Sequence, residues 1–174
     1  MTVTKVREAE AISALKCELA ADVLRSSGKL RLQVMGWSML PSVLPGDTLL
    51  IGRTGGQQVS TGDIILFHRD GRLFAHRVVA KANCPDDIGT NLLQILTQGD
   101  GIPWPDPPIG ESNLLGRVNF IVRKGRILEP GKKLDIPQRA ISMLVRRSSS
   151  AARLVAGIHG MRRSTAEADQ SCRI

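Results

Sequence analysis

A mainly β fold is what this chain predicts, and three features of the sequence predict it. Leu30, Leu32 and Val34 alternate with Arg31 and Gln33, and Phe74, His76 and Val78 alternate with Ala75, Arg77 and Val79, the period of two that half-buried strands follow. Short apolar runs at residues 48–51, 63–68, 92–96 and 114–122 are bounded by Gly, Pro, Asp or Asn, which close turns. Aromatic residues make up 3% of the chain and tyrosine is absent, so Val, Ile and Leu must build the core.

Size and charge narrow the choice further. The 174 residues, 42% of them hydrophobic, suffice for one domain with its own core and are few for two. Three regions follow: a helical arm at 1–28, a β domain at 29–136 and a basic segment at 137–174. The formal charge of +8 favours an anionic partner, either nucleic acid or the acidic face of a bilayer. Scarce aromatics leave no base-stacking surface, and the arm is too short for a three-helix DNA reader, so nucleic acid is not the expected partner. Cys17, Cys84 and Cys172 lack CxxC spacing and neighbouring histidines. Neither a disulfide framework, a metal site nor a cofactor is expected, and a reducing compartment fits. No run of about 18 apolar residues and no leader-like apolar region occurs, which points to a cytoplasmic protein.

In chain order, Val6, Ala9, Ile12, Leu15, Leu19 and Val23 recur at spacings of three and four and predict an amphipathic helix over 5–25, ended at Gly28. A strand then runs to Gly36 and leaves Ser38 just past its end. Pro45-Gly46-Asp47 is a turn, 48–51 a second strand and 52–62 a loop. The pair Asp70-Gly71 joins strand 63–68 to the strand carrying His76. Residues 83–91 read as a polar loop, and 92–96 as a strand ending at Gly99-Asp100. The proline-rich run 103–108 cannot enter a sheet interior and is expected to cross the surface, delivering Asp106 to a rim. Residues 114–122 and 126–128 form a last hairpin around Lys124-Gly125. Beyond Pro137, Ile141, Leu144, Val145, Leu154, Val155, Ile158 and Met161 mix with arginines as in a basic amphipathic helix, and the tail 164–174 is expected to be disordered.

Ser38 is the candidate nucleophile. A serine hydroxyl is weak by itself and requires a base within hydrogen-bond reach and a group to orient that base. His76 is the candidate base, and Asp100 and Asp106 are the candidate carboxylates. Each has an ordinary alternative: a turn serine, a core histidine, a turn aspartate and a loop cap. Ser42 reads as a turn residue, His68 as structural, and His159 has no partner motif.

Five stretches together carry a likeness. Gly36-Trp37-Ser38-Met39-Leu40-Pro41 with Pro45-Gly46-Asp47, then 61–67 (Thr-Gly-Asp-Ile-Ile-Leu-Phe), His76-Arg77-Val78-Val79, Gln98-Gly99-Asp100 and Leu115-Gly116-Arg117-Val118 resemble the ordered boxes of type I signal peptidases and the related LexA-type repressors. The likeness covers roughly residues 30–122. It implies a signal peptidase/LexA-like β core, flanked here by the N-terminal amphipathic helix and the C-terminal basic helix, with Ser38 as nucleophile. Where most bacterial members place a lysine base, this chain has His76, as in the endoplasmic-reticulum and archaeal type. In that type a second aspartate follows the Gly-Asp box by six positions, which implies Asp106 rather than Asp100 as the partner of His76.

Three functions compete on this basis: a serine endopeptidase acting on a peptide or protein substrate, a self-cleaving LexA-type regulator, and a non-catalytic binding module. The sequence leaves the oligomeric state open. Arg146, Arg147, Arg153, Arg162 and Arg163, each contributing about 1 kcal/mol beside an anionic surface, would hold the protein peripherally on a membrane. The full-length chain should therefore sediment with anionic vesicles at low salt, come off at high salt, and lose binding when residues after Pro137 are removed. Indifference to vesicles at low ionic strength would end the peripheral-membrane expectation.

Overall fold

The computed structural model describes residues 2–85 and 91–132. The expected basic helix and tail, with His159 and Cys172, lie outside these residues. The order is α1 (Thr2–Ser27), β1 (Lys29–Gln33), β2 (Thr48–Arg53), β3 (Ile64–Arg69), β4 (Arg72–Pro85), β5 (Asn91–Gln98), β6 (Ile109–Gly110), β7 (Leu114–Arg123) and β8 (Arg126–Leu128). Among the described residues the strands form one antiparallel sheet, ordered β1-β2-β7-β3-β4-β5-β6, with β8 on β7. The fold is thus mainly β with one N-terminal helix. No helix among these residues is long and apolar enough to cross a membrane.

β3 explains the layering. Ile64, Ile65, Leu66 and Phe67 are all buried, a continuous apolar run that only a strand covered on both faces can use. Ile64 and Leu66 join one core with Leu24, Met39, Val43, Leu49, Ile51, Val118 and Ile121. Ile65 and Phe67 join the other with Val59, Val78, Leu93, Ile95, Ile109 and Leu114. β7 serves both cores, with Val118 and Ile121 in the first and Leu114 in the second. β2 pairs along Gly116 to Val122, while β3 takes Leu114 to Arg117 on the opposite edge and β8 takes Ile121 to Arg123.

The helix forms where its periodicity placed it and docks on a different stripe. Cys17, Ala20 and Leu24 are buried against the sheet, whereas Ile12, Leu15 and Leu19 face outward. The docked face is anchored by Leu24, and the smaller Cys17 and Ala20 complete it, while the larger Ile12, Leu15 and Leu19 lie on the exposed side. The loop expected at 83–91 departs from expectation at its described ends, 83–85 and 91. β4 continues to Pro85 and β5 begins at Asn91, with Cys84 opposite Leu92. A hairpin arm needs only ladder hydrogen bonds, so polar side chains on its exposed faces are no obstacle, and Pro85 sits at the strand end where its missing N–H is harmless. β6 and two short 3-10 turns, Gly56–Gln58 and Glu111–Asn113, were not expected.

The docked stripe is testable. Leu24, 2% exposed, should cost about 2–5 kcal/mol on change to alanine, while Leu19, 62% exposed, should cost within about 0.5 kcal/mol, read by urea denaturation. Equal losses would mean that the helix face has been assigned wrongly.

Candidate active site

The loop between β1 and β2 is pinched shut at its base, where Val34 N–H donates to Asp47 O (2.8 Å) and Gly46 N–H to Val34 O (2.8 Å). Inside it, Leu40 N–H reaches Trp37 O and Val43 N–H reaches Met39 O, giving two tight turns. Met39, Leu40, Val43 and Leu44 are buried, so the loop is anchored by its apolar residues and Ser38 is left at the corner, half-buried. Asp47 fixes the far end: it accepts from Leu44 N–H (2.8 Å) and from Arg123 (2.7 Å). Ser38 O itself accepts from Gly101 N–H at 2.8 Å. Gly99 packs so near that a Cβ would come within 2.6 Å of that carbonyl, which explains why the Gly-Asp turn begins with glycine.

β4 presents His76 on the face shared with Phe74 and Val78, as its alternation requires. His76 is 5% exposed, with Phe74 and Phe67 ring centroids 5.8 and 6.0 Å from its own. Its Nε2 lies 2.9 Å from Ser38 Oγ and its Nδ1 lies 2.6 Å from Asp106 Oδ2. An ionised carboxylate only accepts, so Nδ1 carries the proton and the Nε2 lone pair faces the serine hydroxyl. That is the tautomer a general base needs.

The proline-rich segment brings in the carboxylate. Asp106 N–H donates to Thr97 O (2.8 Å), and the Thr97 hydroxyl, fully buried, donates to Asp106 Oδ2 (2.7 Å). Burial would raise the Asp106 carboxyl, but hydrogen bonds from His76 and Thr97, with the charges of His76 and Arg69, outweigh it and hold the group below the ordinary carboxylate range.

Asp100 stands elsewhere. Its carboxylate is bound side-on by Arg77, with Nε–Oδ1 and Nη2–Oδ2 both at 2.8 Å. Arg77 also donates to Gly62 O (2.8 Å), Gly131 O (2.6 Å) and Ser42 Oγ (3.2 Å). The carboxylate on His76 is that of Asp106, and Asp100 instead fixes the turn behind Ser38. His68 faces the opposite side of the sheet from His76, with Nε2 3.3 Å from Ser112 O. Among the described residues, no cluster of three or more His, Cys, Asp or Glu is placed to hold a metal ion.

Sequence reasoning does not find Arg77 and Thr97 as contributors. Alternation on β4 could have found Arg77, since a charged residue facing opposite His76 in a buried strand must have a partner. Nothing in the sequence marks Thr97.

Fold and site together define a mainly β protein in which a serine, a histidine and an aspartate lie in hydrogen-bonded sequence. Residues 4–86 match the Peptidase S24-like family, a stretch that spans most of α1 through β4 and includes Ser38 and His76. No curated protein matches the chain. Asp106 and Thr97 lie beyond the matched residues, so their place at the site rests on geometry alone.

The lowered Asp106 pKa has a definite sign. Its carboxylate is favoured in the folded state, so the stabilisation is complete above the unfolded aspartate value of about 3.9 and disappears as pH falls through the lower folded value. Urea denaturation between about pH 5 and about pH 2 should show a steeper acid loss for the wild type than for Asp106→Asn. Parallel curves would contradict the hydrogen-bonded anion.

Proposed function

We propose that this protein is a serine endopeptidase of the signal-peptidase type with a histidine base. The observation that carries the reading is the single imidazole bridging Ser38 Oγ at 2.9 Å and Asp106 Oδ2 at 2.6 Å. His76 Nε2 takes the hydroxyl proton as Ser38 Oγ bonds to the peptide carbonyl carbon. It then returns that proton to the leaving amine as the C–N bond breaks. Water, deprotonated by the same nitrogen, releases the acyl group and regenerates Ser38. Asp106 holds the ring in its working tautomer and offsets the imidazolium charge. Backbone N–H groups at the Ser38 corner would bind the oxyanion, worth about 2.7–4 kcal/mol per donor in other serine peptidases. The signal-peptidase likeness implies small residues ahead of the cut.

A self-cleaving regulator is the second reading, favoured by the Peptidase S24-like match over residues 4–86 together with the likeness to LexA-type repressors. In that case the substrate is a segment of the protein's own chain, and the chemistry at Ser38 is unchanged. Purified wild type would then shorten with time at a rate independent of concentration.

An organophosphorus serine probe and mass spectrometry of lysate peptides test the proposal. Wild type should label stoichiometrically at Ser38 and generate new peptide ends, Ser38→Ala should do neither, and Asp106→Asn should lose about 10⁴-fold in kcat, as the equivalent change does in a trypsin site. Undiminished labelling after His76→Ala would sink the assignment.

A further inference from the structure

One charged residue beside the site has no part in the scheme above. β3 and β4 share a face on which Ile65, Phe67 and Arg69 lie beside Phe74, His76 and Val78. Arg69 ends that row. Its guanidinium carbon sits 5.1 Å from the Phe74 ring centroid and 5.9 Å from that of Phe67. From this aromatic seat Nη2 reaches to 3.7 Å from Asp106 Oδ1, and Nη1 to 3.5 Å from Pro107 O. Asp106 thus divides its oxygens: Oδ2 accepts from His76 and Thr97, while Oδ1 faces Arg69.

We propose that Arg69 is a positioning residue for Asp106, one that keeps the carboxylate turned toward His76 and, as a fixed cation, opposes a positive charge on the imidazole. Three features separate it from an ordinary surface pair, which contributes little. Its side chain is only 25% exposed, the two rings limit where the guanidinium can go, and it touches both the acid and the backbone that carries it. The other charges near His76 are accounted for. Arg77 of β4 and Asp100 after β5 pair with each other on the opposite face, and His68 of β3 points away from the ring. Thr97 of β5 and Ser38 are uncharged. Arg72 of β4, opposite Arg69 on the same face, is exposed, and so is Asp70, 4.0 Å from Arg69 Nε. Asp106 therefore touches the imidazole and Arg69 touches Asp106, and the two charges act on the ring's protonation in opposite directions. The lowering of the Asp106 pKa by Arg69 agrees with the contact.

Removing the cation while keeping apolar bulk separates this role from packing. In Ser38→Ala protein, NMR titration of the His76 ring, assigned with His76→Ala, should show Arg69→Met taking up its proton at higher pH. At the pH of half-titration in the Ser38→Ala parent, the neutral fraction should be about two-fold smaller. Arg69→Lys, which keeps the charge, should titrate near the parent. This measurement needs no turnover. The kinetic arm rests on the peptidase reading: the acid limb of kcat/KM should move upward in Arg69→Met with its plateau reduced less. A shifted titration without hydrolysis in the wild type would overturn the peptidase reading and leave the role of Arg69 supported. Arg69→Gln is the second neutral variant should Arg69→Met fail to fold. A parental titration in either folded variant would overturn the proposal.

Discussion

The ion pair of Arg77 and Asp100 is the constraint on which the Ser38 corner depends. Both side chains are buried, and a buried charge is tolerated only when paired and fully hydrogen-bonded. Arg77 meets that demand by drawing its acceptors from segments far apart in sequence: the turn after β5, the turn before β3, the loop of Ser42 and the chain beyond β8. Four pieces of irregular backbone are thereby fixed around one guanidinium. Since His76 is the next residue on the same strand and faces the other way, the clamp and the imidazole are positioned by one stretch of backbone. The pleat supplies the separation that lets adjacent residues act on opposite sides of a sheet.

Much of this was legible. The alternation from Phe74 to Val79 put His76 on the apolar face, and the run of turn residues around Ser38 placed it off a strand end, because both signals are local and strands impose a strict period. The choice between Asp100 and Asp106 was not local. It depends on which carboxylate reaches across from a proline-rich segment to β4, and residue spacing alone left both open. Thr97 and Gly101 settle the geometry through contacts that no periodicity announces. The helix misled for the opposite reason. Ile12, Leu15 and Leu19 form a true stripe, but close docking favoured the smaller Cys17 and Ala20, whose side chains give a weaker signal. The polarity of 83–91 signals a loop, yet 83–85 and 91 belong to strands, because an exposed strand is held by its backbone ladder whatever its side chains.

The surroundings of His76 are mixed in character, and each part has its own effect. Phe67 and Phe74 exclude water from one side of the ring, which strengthens the charged contacts on the others. Ser38 and Asp106 approach it from two separate loops, neither of which belongs to the β3–β4 hairpin. The hairpin thus carries the imidazole, and the irregular segments carry the two groups that hydrogen-bond to it.

The segment that follows β5 does two things at once. Gly101 N–H holds the carbonyl of Ser38, and a few residues later Asp106 holds the imidazole. The backbone of Ser38 and the orientation of His76 are consequently supported by one short length of chain. Any local opening of that length would release both ends together, so the contacts on the Ser38 carbonyl and on the His76 ring stand or fall as one unit.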